Sequence, residues 1–186
     1  MDLQIIVDGL EEKGIEFEVG LTENEFAAIE KIHRFSFPPD LKCLLAYALP
    51  VSEGFADWRR VTDEEIRNWL EWPLEGVMRE VKRSGYWIEE WGDTPIDQEE
   101  VIDAVRIMLS NAPKLIPIYG HRYMPTLPVK AGNPVYSVMQ TDIIEYGSNL
   151  WSYLGNDFGV RLGSDKDWYS IPGNKIEFWD DIVFNN

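Results

Sequence analysis

The sequence predicts an α+β fold: N-terminal helices packed on a mostly antiparallel sheet of short strands, with a closing helix. Three observations predict it. Helical periodicities with capping signals run from Leu3 to Asn111. Short apolar runs split by prolines follow, from Leu115 to Gln140. A capped apolar stretch, Ser148 to Phe158, comes after them. Helices first and strands next, rather than strict alternation, favour α+β over a doubly wound parallel sheet.

Each element has its own signal. Leu3, Ile6, Val7 and Leu10 recur at helical spacing, and Gly14 stops that helix. Ile15 to Val19 alternates apolar and acidic residues, as a strand with one wet face does. Thr22 followed by Glu25 is a capping box for a helix to His33. Pro39 suits a first helical turn, and an almost wholly apolar helix runs from Asp40 to Leu49. Pro50 to Arg60 reads as loop. Thr62 and Glu65 form a second capping box for a helix carrying Ile66, Trp69 and Leu70 on one face. Pro73 kinks or restarts that helix, and Gly85 ends it. Trp87 to Glu100 reads as an acidic loop leading into a helix from Glu99 to Asn111. The prolines in the Leu115–Val129 region place its strands at edges or ends, since proline cannot donate to a ladder. Pro134 to Gln140 is a strand, and Lys175 to Phe184 fits a strand or a helix equally well.

The 186 residues make one domain with a core large enough to need no staples. Seventeen basic residues against 33 acidic ones give a net charge of −16. The basic residues stand singly or in pairs such as Arg59-Arg60, so no stripe exists to displace counterions from phosphates. Nucleic acid and anionic membrane are therefore not expected as partners, whereas a basic protein is favoured by attraction and faster encounter. The single cysteine, Cys43, lies in an apolar helical run and reads as a small buried hydrophobe. The N-terminal stretch lacks the basic region of a signal peptide, and no apolar run approaches a membrane span. The expectation is a soluble cytoplasmic protein; its oligomeric state is not legible.

Three stretches resemble a known family. Phe37 to Leu49 (FPPDLKCLLAYAL) resembles the proline-then-apolar-helix entry of the SUKH superfamily. Leu115 to Leu127 (LIPIYGHRYMPTL) and Pro134 to Leu154 (PVYSVMQTDIIEYGSNLWSYL) resemble its second half. The similarity spans residues 22–160. Two features depart from the family pattern. An Asn-Gly pair is absent after the apolar helix, and the central turn is Gly120-His121-Arg122-Tyr123 rather than a Gly-rich, Asp-containing one. The resemblance implies a binding fold without shared catalytic residues. In bacteria it implies immunity proteins that neutralise toxins, often nucleases, and elsewhere regulators of cell-wall assembly.

Candidate sites follow from residue chemistry. His121, Arg122 and Tyr123 form a polar turn in which a histidine of near-neutral pKa could do acid–base work. No nucleophile accompanies it at a known spacing, and alternation along a strand would send His121 and Arg122 to opposite faces. The turn therefore reads as the corner of a sheet, and no catalytic residue is assigned. Two histidines and one cysteine cannot complete a zinc site without carboxylates, the acids near Gly92 lack calcium-loop spacing, and phosphate loops are absent. No metal or cofactor is expected. Trp58, Trp69, Trp72, Trp87 and Trp91 are interleaved with acids. Rigid rings inside a charged rim suit a protein–protein hot spot. The expected partner-binding face comprises Trp58, Trp87, Glu89, Glu90, Trp91, Asp93 and Asp97. A carbohydrate-related role, with Trp rings stacking on sugar, is the alternative; a small enzyme centred on His121 is a third.

Overall fold

The structure is a computed structural model and describes residues 3–160 and 172–186. Helix α1 (Leu3–Glu11) buries Ile6, Val7 and Leu10, the stripe set by their spacing. Strand β1 (Phe17–Val19) is shorter than the alternation implied. Helix α2 (Glu23–His33) begins with the expected capping box. The Thr22 hydroxyl accepts from the Glu25 N–H at 3.3 Å, and the Glu25 carboxylate accepts from the Thr22 N–H at 2.8 Å. Removing such a cap costs ~1 kcal/mol.

Helix α3 (Pro39–Tyr47) starts at the proline as expected but stops short of Leu49. Ala48–Pro50 forms strand β2 and pairs antiparallel with β1, Phe17 opposite Pro50. Pro50 disfavours a helical conformation at Leu49, and β1 offers the freed backbone a partner. Cys43 is exposed, not buried: α3 buries Leu41, Leu44 and Leu45, and position 43 falls off that stripe. Helix α4 (Asp63–Ser84) carries the second capping box and runs unbroken through Pro73, which neither divides nor restarts it. The loop after it holds a single 3-10 turn, Glu89–Trp91. Helix α5 (Gln98–Asn111) is capped by Asp97, whose carboxylate accepts from the Glu99 N–H at 2.7 Å.

Four strands then form one antiparallel meander in chain order: β3 (Leu115–Tyr119), β4 (Arg122–Pro125), β5 (Val135–Met139) and β6 (Asp142–Gly147). The prolines sit where the ladder tolerates them, Pro117 in edge strand β3 and Pro125 at the end of β4. Successive residues feed different cores. Ile116 and Met124 pack with α1, α2 and α3; Leu115 and Tyr123 pack with α4 and α5. The sheet is thus buried on both faces, which explains the nearly continuous apolar runs of β3 to β5. Gly76 lets α4 approach the β5–β6 turn: a Cβ there would lie 2.9 Å from the Gln140 Cα.

Helix α6 (Leu150–Phe158) follows the sheet, capped by Asn149 rather than Ser148. The ambiguous C-terminal stretch folds as helix α7 (Trp179–Phe184). Trp179 is fully buried, and its indole N–H donates to the Pro113 carbonyl at 2.7 Å. Asp180 fixes the entry to α7 by accepting from the Tyr136 hydroxyl at 2.5 Å and from the Ile176 N–H at 2.7 Å. Burial and that carboxylate hold the Tyr136 hydroxyl far above its ordinary pKa. The architecture is α+β, with helices on both sides of the meander.

Candidate functional site

The polar turn is the β3–β4 hairpin corner. Gly120 takes the first central position with φ +53°, where a two-residue hairpin demands a left-handed residue. His121 occupies the second position and is exposed. The Arg122 guanidinium donates to the His121 imidazole, so the two side chains meet rather than diverge. His121 lies in the turn and not in the strand, so strand alternation does not separate them. Burial and the adjacent guanidinium push the His121 pKa below its ordinary 6.5. Tyr123 points into the core instead; it is buried, and burial pushes its hydroxyl up to about 12. It is therefore removed from the polar site.

Arg122 is held on several sides. Its Nη1 donates to the Ser137 hydroxyl at 2.8 Å, and its guanidinium carbon lies 3.8 Å from the centre of the Tyr146 ring. Its Nε lies 3.6 Å from an Asp157 carboxylate oxygen. With Asp157 opposite and Tyr146 beneath, the Arg122 charge is already compensated. The arrangement ties the hairpin to β5, β6 and α6.

The acidic tryptophan segment builds a different site. Trp87 and Trp91 meet edge-to-face at 5.6 Å, and the Trp87 indole donates to the Gly92 carbonyl at 2.7 Å. Trp91 stacks flat on Phe178, with centroids 5.4 Å apart and planes 5° apart. Together Trp91 and Phe178 border a groove of about 890 Å³. Its other walls include Ile107 and Met108 of α5, Leu127 and Pro128 of the β4–β5 connection, and Ile176 just before α7. Ile107 and Leu127 are well exposed, at 63% and 49%. Carboxylates of Glu90, Glu177 and Asp181 border it, against a single cation among the described residues, Lys175. The buried Trp91 Nε1 has no hydrogen-bond partner among the described residues.

The expected face is thus partly assembled. Glu90 and Trp91 line the groove; Trp87 braces Trp91 from the side; Glu89 and Asp93 are exposed beside it. Asp97 has a structural task as the cap of α5. Trp58 does not belong to the face. It is 4% exposed and packs edge-on against Phe35, Phe37 and Trp69 in the other core. The apolar neighbours that enclose it come from distant sequence, so acidic residues beside it in the chain gave a misleading cue. Phe178, Glu177 and Asp181 were missed. Their stretch, KIEFWDD, has the same acidic–aromatic composition as WIEEWGD, the one signal that could have joined them.

Among the described residues, no group of three or more His, Cys, Asp or Glu side chains could hold a metal ion. No helix among them is long and apolar enough to cross a membrane. Compared with known proteins, the chain matches no family model, no curated sequence and no solved structure.

Proposed function

We propose that this chain is a non-enzymatic protein-binding domain whose partner is a basic protein. On the SUKH resemblance, it acts as an immunity protein that neutralises a nuclease-type toxin in the cytoplasm. The observation that carries the reading is the groove beside Trp91, an apolar trough bordered by Glu90, Glu177 and Asp181. Apolar anchors of a partner would fill the trough, and its lysines or arginines would meet the rim. The net charge of −16 would speed encounter with such a protein. The sugar-binding alternative is less well served. One face of Trp91 is covered by Phe178 and Trp87 stands edge-on to it, so the two indoles offer no flat platform.

The test is affinity capture from lysate of the source organism at low and moderate salt. Wild type is compared with a Glu90→Gln, Glu177→Gln, Asp181→Gln variant, which spares the helix cap Asp97. A basic protein captured by wild type, weakened by salt and lost from the variant is the expected result. Equal capture by both baits, or capture indifferent to salt, refutes the assigned face.

A further inference from the structure

We propose that the groove between α4 and α5 docks an acidic amphipathic helix of another protein. Its floor is Leu74, Met78 and Leu109, and its walls carry Arg79, Lys82 and Arg106. The trough measures about 580 Å³. Three cations around one apolar trough run against the charge of a chain with 33 acids and 17 bases. Among the described residues a single carboxylate, Glu75, shares the lining.

The cations are available. One neighbouring acid is used elsewhere: Glu80 is clamped by Arg83, with a closest approach of 2.6 Å. The side chains of Arg79 and Lys82 are exposed and make no ion pair or hydrogen bond with any described residue. Among the described residues Arg106 pairs only with Asp103 on its own helix, an exposed contact of little strength. Charges left unpaired along an apolar trough are complementary to an anionic, partly apolar ligand.

Shape selects a helix. Two neighbouring helices form a channel along their axes, into which a third helix can lay anchors at i, i+3, i+4 and i+7. Leu74 to Lys82 covers about 12 Å of axis, or roughly two helical turns. Half-buried Met78 suits such a surface because its unbranched side chain adapts to the ligand. A second copy packed groove to groove would set Arg79, Lys82 and Arg106 against their own like charges. This site is separate from the Trp91 groove, which takes Ile107 and Met108 on the other flank of α5.

The probe is a fluorescein-labelled peptide of about 15 residues, long enough for roughly four helical turns when docked. It carries Leu at i, i+3, i+4 and i+7 and Glu elsewhere; a matched peptide carries Lys in place of Glu. Anisotropy is read against wild type, Arg79→Gln/Lys82→Gln, Ser110→Trp and Glu90→Gln/Asp181→Gln. The Glu peptide is expected to bind wild type and to lose about tenfold or more in affinity with Arg79→Gln/Lys82→Gln. Ser110→Trp, which fills the trough from an exposed position, blocks it without changing a charge. Glu90→Gln/Asp181→Gln leaves it within about twofold of wild type. The Lys peptide does not weaken with Arg79→Gln/Lys82→Gln. Absence of Glu-peptide binding up to about 1 mM overturns the proposal. So does affinity preserved in either groove variant. Both results leave the Trp91-groove reading untouched.

Discussion

Replacing Trp179 by alanine removes the largest of the fully buried side chains among the described residues and tests how α7 is held. A tryptophan buries roughly 150–250 Å², which at ~25 cal/mol per Å² gives an upper bound of about 4–6 kcal/mol. Truncations of this kind cost about 3–5 kcal/mol in practice. The Pro113 carbonyl also loses its donor. If α7 detaches, water reaches that carbonyl and the added penalty stays near ~1 kcal/mol. A loss of about 4 kcal/mol is a large part of the ~5–15 kcal/mol that holds a typical domain together. In urea, with a slope of ~2 kcal/mol per M, the unfolding midpoint should fall by about 2 M. Trp179→Phe is the control: it keeps an apolar ring but leaves the Pro113 carbonyl covered and unpaired, at a cost of about 1–3 kcal/mol. A cost below ~1 kcal/mol for Trp179→Ala would refute the reasoning. The docking of α7 would then be weak, and the groove would lose the wall that carries Phe178 and Asp181.

Two further predictions concern the scaffold. The Arg59 guanidinium and the Thr22 N–H and hydroxyl hold the Glu25 carboxyl at about 2, below its ordinary 4.5. A depressed folded-state pKa contributes stability that is present above 4.5 and is lost as pH falls through the folded value. The Tm advantage of wild type over Glu25→Gln should therefore be full at neutral pH and shrink from pH 4.5 toward pH 2; a constant difference across that range contradicts the assignment. Gly76→Ala should reverse a familiar sign. Alanine in a helix interior usually gains about 1 kcal/mol over glycine. Here the new Cβ would meet the Gln140 backbone at 2.9 Å, so a loss of about 1–3 kcal/mol is expected in urea unfolding. A stabilised variant would show that α4 and the β5–β6 turn do not approach so closely.

The boundaries legible in the sequence are those written in local chemistry. The capping boxes at Thr22 and Thr62 start their helices as expected, because cap and partner are three residues apart. Pro39 opens α3 for the same kind of reason. Where the outcome depended on a distant partner, local pattern failed. Ala48–Pro50 left its helix to pair with β1, and within Lys175–Phe184 only Trp179–Phe184 became a helix, docked through Trp179. The site divides in the same way. Glu90 and Trp91 announced themselves by composition, whereas Trp58, with a similar setting in sequence, went to the core.

By itself the sequence determined the α+β class, most helix starts, the acidic balance and the acidic, tryptophan-bearing character of the Trp87–Asp97 segment. Each rests on composition or on interactions spanning a few residues. Only the tertiary structure decided which rings border the groove. Trp91 gains Phe178, Glu177 and Asp181 as neighbours only because α7 returns across the sheet. The cationic trough between α4 and α5 is equally a product of folding. Arg79, Lys82 and Arg106 are scattered in a strongly acidic chain, and only the packing of one helix against the other brings their charges around a shared apolar floor. Burial and proximity across long stretches of chain are set by packing that no local pattern encodes.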